Sequence, residues 1–286
     1  MSPTRLRAVA GGATDTDPLA DPELEAAIAD WVSRPASTAD KLQSAALWGV
    51  GLSFMGSALG TMAAVNTVLP SDRMEWMNRF YCRAQVALAG AKWRCVVHPD
   101  VDPDGVYMFC QNHTNHFDHV ALYDATPHFK QGLELEDHFK YPLYGTFMRN
   151  RGTIPVRRGS EGQTPEIMAH MRSEIAAGHS ILAFPEGTRT LTGRVGRYRR
   201  GVFFIARDLG IPVVPVAVTG MYEVMRKGSR LMRGGQLVTV HVDKPIESAG
   251  LDDDGVGRLA QRVREVASGH VDAYWRHRLG LDGGGS

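Results

Sequence analysis

The chain has 286 residues, 43% of them hydrophobic, with 32 Lys and Arg against 31 Asp and Glu and a formal net charge of +1. That length suits one large packed core with appendages, and the balanced charge excludes a strongly basic nucleic-acid binder, so no nucleic-acid partner is expected. Its three cysteines, Cys82, Cys95 and Cys110, lack short paired spacing, which argues against a disulfide framework or a thiolate zinc site and fits a reducing compartment.

Residues 1–20 read as a mobile tail. The apolar run Ala8–Ala10 behind Arg5 and Arg7 is too short for a secretory signal. Residues 21–90 read as an N-terminal helical membrane-associating element. From Leu42 to Ser71 there is no Asp, Glu, Lys or Arg, a stretch long enough to cross a bilayer at ~1.5 Å rise per residue. Gly56 and Gly60 have the small-xxx-small spacing that permits close helix approach. A second helix over Arg73–Ala89 places Met74, Met77, Tyr81, Ala84 and Leu88 at helical spacing, with Arg73, Arg79 and Arg83 for an anionic surface. Residues 42–90 are therefore expected to form a two-helix membrane-associating element, spanning the bilayer or embedded in one leaflet; a helix buried in a core is the alternative.

Residues 91–280 alternate short β-type runs with helical ones, which predicts an α/β domain with a mixed central sheet covered by helices. The expected strands are Trp93–Val97, Val106–Gln111, Gly152–Val156, Ile181–Phe184, Val213–Val218 and Leu237–Val242. Expected helices run from Pro165, capped by Thr164, to Gly178, from Arg199 to Leu209, and from about Gly255 to Arg278. Residues 281–286 read as a flexible tail, and nothing in the sequence specifies an oligomeric state.

Two segments at expected strand ends carry chemistry. In Asn112-His113-Thr114-Asn115-His116-Phe117-Asp118 the histidine and carboxylate are five residues apart, about 140° around an ideal helix, so they cannot pair on a continuous one. If the chain turns at Thr114 and Asn115, Asp118 folds back on His113 and can support an imidazole that takes a proton from an alcohol. The alternatives are a helix cap, or a metal site from His113, His116 and His119, which lacks the usual glutamate between its histidines. In Phe184-Pro185-Glu186-Gly187-Thr188-Arg189-Thr190 a glycine permits a sharp turn and Arg189 offers a planar fork for phosphate or carboxylate. An ordinary tight turn is the other reading.

Four blocks in the same order resemble the glycerolipid acyltransferase family that includes the 1-acylglycerol-3-phosphate acyltransferases. They are Asn112-His113 with Asp118, Gly152–Arg158, Phe184–Thr190 and Val213–Ala217, joined by Tyr198-Arg199-Arg200-Gly201; the likeness covers roughly residues 92–245. It implies an acyl transfer in which His113 is the general base, Asp118 supports it, and Glu186, Gly187, Thr188 and Arg189 with Arg157 and Arg158 bind substrate. The implied donor is acyl-CoA or acyl carrier protein and the implied acceptor a membrane lysolipid, most often 1-acylglycerol-3-phosphate, with neither metal nor other cofactor. A membrane-associated protein at the cytoplasmic face is expected. One departure stands out: Leu135 and Glu136 fall where lysophosphatidate enzymes commonly carry a lysine near the acceptor phosphate. Lys130 and Lys140 are the cations that could compensate, and a non-phosphate lysolipid is the alternative acceptor. A metal-dependent hydrolase and a noncatalytic lipid-binding protein are the remaining readings.

Overall fold

In the computed structural model, residues 17–157 and 165–281 are described. Seven strands form one sheet: β1 Lys92–Val97, β2 Met108–Gln111, β3 Lys130–Leu135, β4 Ile154–Val156, β5 Ser180–Ala183, β6 Val213–Thr219 and β7 Leu237–Val242, in the order β1-β7-β6-β2-β5-β3-β4. All neighbours are parallel except the antiparallel pair β6 and β7, so the sheet is mixed, as expected.

Nine α-helices surround it among the described residues: α1 Pro22–Ser33, α2 Thr38–Val65, α3 Glu75–Leu88, α4 Asp118–Tyr123, α5 Pro142–Arg151, α6 Pro165–Ala176, α7 Gly201–Leu209, α8 Met221–Val224 and α9 Asp253–Leu279. The strands are covered on both faces, which explains their continuous apolar character. On one face Phe109, Val214, Val216 and Val218 pack with Leu122 of α4; on the other, Met108, Cys110 and Ile181 pack with Met171 of α6, Phe203 of α7 and Val263 of α9. Side chains alternate along a strand, so Met108-Phe109-Cys110 supplies both layers. The parallel strands β6, β2, β5, β3 and β4 end on the same sheet edge, where Asn112, Phe184, Glu136 and Arg157 follow. In open α/β sheets that edge is where ligands bind.

Three local differences from the sequence reading have clear causes. The strand expected from Gly152 begins at Ile154, because Gly152 takes a left-handed conformation (φ 76°) to end α5. Strand β3 carries no apolar run, since its opening residue is the buried Lys130. That ammonium donates to the Tyr123, Thr126 and His128 carbonyls at 3.3, 3.2 and 3.0 Å, and burial pulls its pKa down to about 7. Lying at the opposite end of β3 from the strand-end edge, it cannot meet an acceptor phosphate there. Lys140 is exposed and pairs with Asp137 at 2.7 Å. Arg158 and the expected cap Thr164 lie outside the described residues, as do residues 1–16 and 282–286 of the two tails.

The N-terminal stretch holds the two expected helices, α2 and α3, preceded by α1. Helix α1 packs on α9, burying Leu24 and Ile28 in a cluster with Tyr222 and Trp275, so it belongs to the α/β body. Helix α2 opens on a capping box between Ser37 and Asp40. Among the described residues it is the one helix long and apolar enough to cross a bilayer, and most of its surface is open, so it is no core helix. Leu59 and Met62 pack against Phe147 and Met148 of α5, while Trp48 donates its indole N–H to the Arg230 carbonyl at 2.7 Å. Leu42, Val50 and Leu52 remain exposed, as do Trp76 and Phe80 of α3. A Cβ at Gly56 or Gly60 would meet nothing within 4 Å, so among the described residues their small-xxx-small spacing serves no close approach.

Candidate active site

The segment after β2 turns as the sequence requires. Asn112 locks it to β6, its amide accepting from the Val218 N–H at 2.7 Å and donating to the Val218 carbonyl at 3.1 Å. Asn115 donates to the Met221 and Met225 carbonyls at 2.7 and 3.0 Å and accepts from the Phe117 N–H at 2.6 Å. Helix α4 therefore starts at Asp118, whose carboxylate folds back over the turn.

Asp118 is fully buried and is surrounded by donors. Its Oδ2 meets His113 Nδ1 at 2.8 Å and accepts the N–H groups of Thr114 and Asn115, while Oδ1 accepts the Thr114 hydroxyl at 2.6 Å. With Nδ1 committed to Asp118, Nε2 is the imidazole nitrogen left to exchange a proton with a ligand. The ring stacks on Phe184 with centroids 4.2 Å apart, and its side chain is 23% exposed. The imidazole therefore has a fixed orientation and an open side.

The second segment docks on the first. The Thr190 N–H donates to the His113 carbonyl at 2.7 Å, which seats Arg189 beside the histidine loop. Gly187 adopts φ 66°, a left-handed conformation that glycine takes without strain, and donates its N–H to the Phe184 carbonyl at 2.9 Å. Lys227 donates to the Thr188 hydroxyl at 2.9 Å and the Arg189 carbonyl at 3.2 Å, bracing the turn from the far side of α8. Nothing in the sequence singles out Lys227 from its neighbours Arg226 and Arg230, all outside the motif blocks.

Glu186 is 7% exposed, and both carboxylate oxygens face main chain: Oε1 accepts the His113 N–H at 2.8 Å and Oε2 the Gly196 N–H at 3.0 Å. A Cβ at residue 196 would lie 2.8 Å from that oxygen, so the contact requires glycine there. Burial pushes the carboxyl up to about 7, against the pull of the two backbone bonds. A raised carboxyl pKa means that the folded chain holds the proton more tightly than the unfolded chain, so stability is lost as pH rises from about 4.5 to 7. The loss is on the order of 3 kcal/mol. Glu186→Gln should abolish that decline, making the wild-type advantage over the variant shrink across this window. Parallel pH dependence of the two melting curves would contradict it.

At the edge of the sheet, Arg157 follows β4 and Glu136 follows β3. The guanidinium donates from Nε and Nη2 to the Glu136 carboxylate at 2.5 and 3.1 Å. Hydrogen bonding to Arg157 holds the Glu136 carboxyl below its ordinary range. The charge expected to oppose an acceptor phosphate is thus paired with a cation. His119 is half-buried, and burial holds it below the ordinary imidazole range. Among the described residues no group of three or more His, Cys, Asp or Glu side chains is placed to hold a metal ion.

The stretch that carries this arrangement is similar to known proteins. Residues 95–219 match the family model described as Acyltransferase. The 1-acyl-sn-glycerol-3-phosphate acyltransferase BAT2, chloroplastic, of Brassica napus is 28% identical over 172 residues, 59% of this chain and 49% of the relative. The lyso-ornithine lipid O-acyltransferase of Pseudomonas aeruginosa is 29% identical over 143 residues, 44% and 55% of the two chains. The chain spans about half the length of the curated relatives it matches. In fold it resembles the crystal structure of the 1-acyl-sn-glycerophosphate acyltransferase PlsC from Thermotoga maritima, with a TM-score of 0.67, 17% identity, and coverage of 82% of this chain and 95% of that one. Strands β2 to β6 and both loops of the site thus lie within the stretch that matches the Acyltransferase family model, and the relatives named above are glycerolipid acyltransferases or an ornithine-lipid counterpart.

Proposed function

We propose that this chain is an O-acyltransferase that moves a fatty acyl group from acyl-CoA or acyl carrier protein to the hydroxyl of a lysophospholipid, with 1-acylglycerol-3-phosphate as the leading acceptor. The buried Asp118 bound to Nδ1 of the half-open His113 carries this reading. Nε2 takes the acceptor proton as its oxygen attacks the thioester carbonyl. The tetrahedral intermediate collapses with cleavage of the C–S bond, and the imidazolium returns the proton to the departing thiolate. Asp118 supports the imidazolium through both steps. Because the Gly187 and Thr190 N–H groups are engaged by Phe184 and His113, the turn's donors for the oxyanion would be Thr188 and Arg189.

Arg189 and Arg157 serve as anion contacts in this account, with Arg157 held in place by Glu136. Glu186 acts indirectly, by fixing the backbone of His113. The names of the relatives support a lysolipid acceptor, and the lyso-ornithine enzyme among them supports a non-phosphate head group as the second choice. Incubating the purified protein with a panel of lysolipids and acyl-CoA, with products identified by mass, tests the proposal. Acylation of a lysophospholipid is expected; turnover of no lysolipid would sink the reading.

The membrane supplies this acceptor. Contacts of α2 with Arg230 near one end and α5 near the other lay the helix along the body, which favours embedding in one leaflet over spanning. Trp76 and Phe80, 68% and 64% exposed, project beside it as the aromatic contacts of that surface. Each is worth roughly 1.5–3 kcal/mol when fully buried in an apolar phase. The double variant Trp76→Ser, Phe80→Ser should therefore bind anionic vesicles at least about tenfold more weakly in cosedimentation. Undiminished binding would rule out this face.

A further inference from the structure

A second histidine–carboxylate couple lies on the same sheet edge. Glu134, next to last in β3, accepts from His138 at 2.6 Å through Nδ1 and from the Tyr144 hydroxyl at 3.0 Å. The same carboxylate caps the Leu135 N–H at 3.0 Å, so three donors fix it. The His138 ring stacks on the exposed Tyr141, with centroids 5.9 Å apart, and its side chain is 36% open. With Nδ1 occupied, Nε2 is the nitrogen available to a ligand, as in His113, and a doubly protonated ring would present an N–H from a charged group.

The couple borders the first site. Strand β5, followed by Phe184, lies between β2, which leads into His113, and β3, which carries Glu134. Asp118 is occupied by His113 and the turn, and Glu136 by Arg157. Phe139 and Tyr144, which flank the second couple, pack with Leu59, Met62 and Met77, placing it next to the apolar helices through which a lipid would arrive.

We propose that His138, oriented by Glu134, binds the anionic phosphate of the acceptor head group and so takes the place of the lysine absent at Leu135 and Glu136. This rests on the lysophospholipid acyltransferase reading above. A charged hydrogen bond lost from such a contact corresponds to roughly a 10- to 100-fold change in binding. It belongs to the ground state as much as to the transition state, so it enters KM rather than kcat.

The test is steady-state kinetics of wild type, His138→Ala and His138→Lys with 1-acylglycerol-3-phosphate and with an uncharged monoacylglycerol, at fixed acyl-CoA. His138→Ala should raise KM for the phosphate acceptor by about tenfold or more, change kcat much less, and shift KM for the uncharged acceptor little. His138→Lys should restore most of the phosphate affinity, a rescue that a merely structural role would not give. A drop in kcat at unchanged KM, an equal effect on both acceptors, or failure of lysine to rescue would overturn the proposal. Wild type inactive on every lysolipid would instead overturn the reading on which it rests.

Discussion

His113→Ala should lower acyl transfer by about 10²–10⁴ while the protein remains folded. The expectation follows from what the side chain does and what it leaves behind. Its Nδ1 is held by a fully buried carboxylate, which leaves Nε2 as the proton acceptor at the end of β2. The bonds that tie residue 113 to Glu186 and Thr190 are made by its main chain and survive truncation. Removing a partly exposed ring from its stack on Phe184 should cost about 1 kcal/mol, a fall in melting temperature of roughly 2–4 °C for a chain of this size. Activity within a few-fold of wild type would remove His113 from the chemistry, and a large loss of melting temperature would make the kinetic result uninformative about the base.

Asp118→Asn should cost roughly 10²-fold or more in kcat, with acceptor KM changed far less. The amide is isosteric, and its oxygen can accept the donors now on Oδ2 from His113, Thr114 and Asn115. Its nitrogen then faces the Thr114 hydroxyl, which can rotate to accept. Geometry is retained while the negative charge that stabilises the imidazolium is lost. Asp118→Ala is the harsher change, leaving buried donors without an acceptor, each at about 1–3 kcal/mol, and should also destabilise the fold. A kcat near wild type for the asparagine variant would show that the histidine needs orientation alone.

Much of this site was legible because its parts sit where the chain must turn. Asn112-His113 at the end of an apolar run and Glu186-Gly187-Thr188-Arg189 at the end of another were placed at the sheet edge by strand pattern, and the five-residue interval to Asp118 demanded the turn that Asn115 secures. What stayed hidden was the partner of each side chain. Glu186 had the look of a substrate contact, but its two oxygens hold the main chain of His113 and Gly196. Glu136 had the look of an obstacle to phosphate, but it is paired with Arg157, 21 residues away. Strand β3 was missed because Lys130-Gln131-Gly132 has no apolar signal; three carbonyls satisfy the lysine, an arrangement visible only in three dimensions. Lys227 reaches the turn after β5 across 39 residues of chain, a separation that no local pattern encodes.

The central claim is that His113 and Asp118 drive transfer of an acyl group from a thioester to a lipid hydroxyl. Measuring thiol release from acyl-CoA and lysophospholipid acylation in the same reaction tests it most directly. The account predicts one new ester for each thiol released, and loss of both in His113→Ala. Thiol release accompanied by free fatty acid, with no acylated lipid, would contradict it.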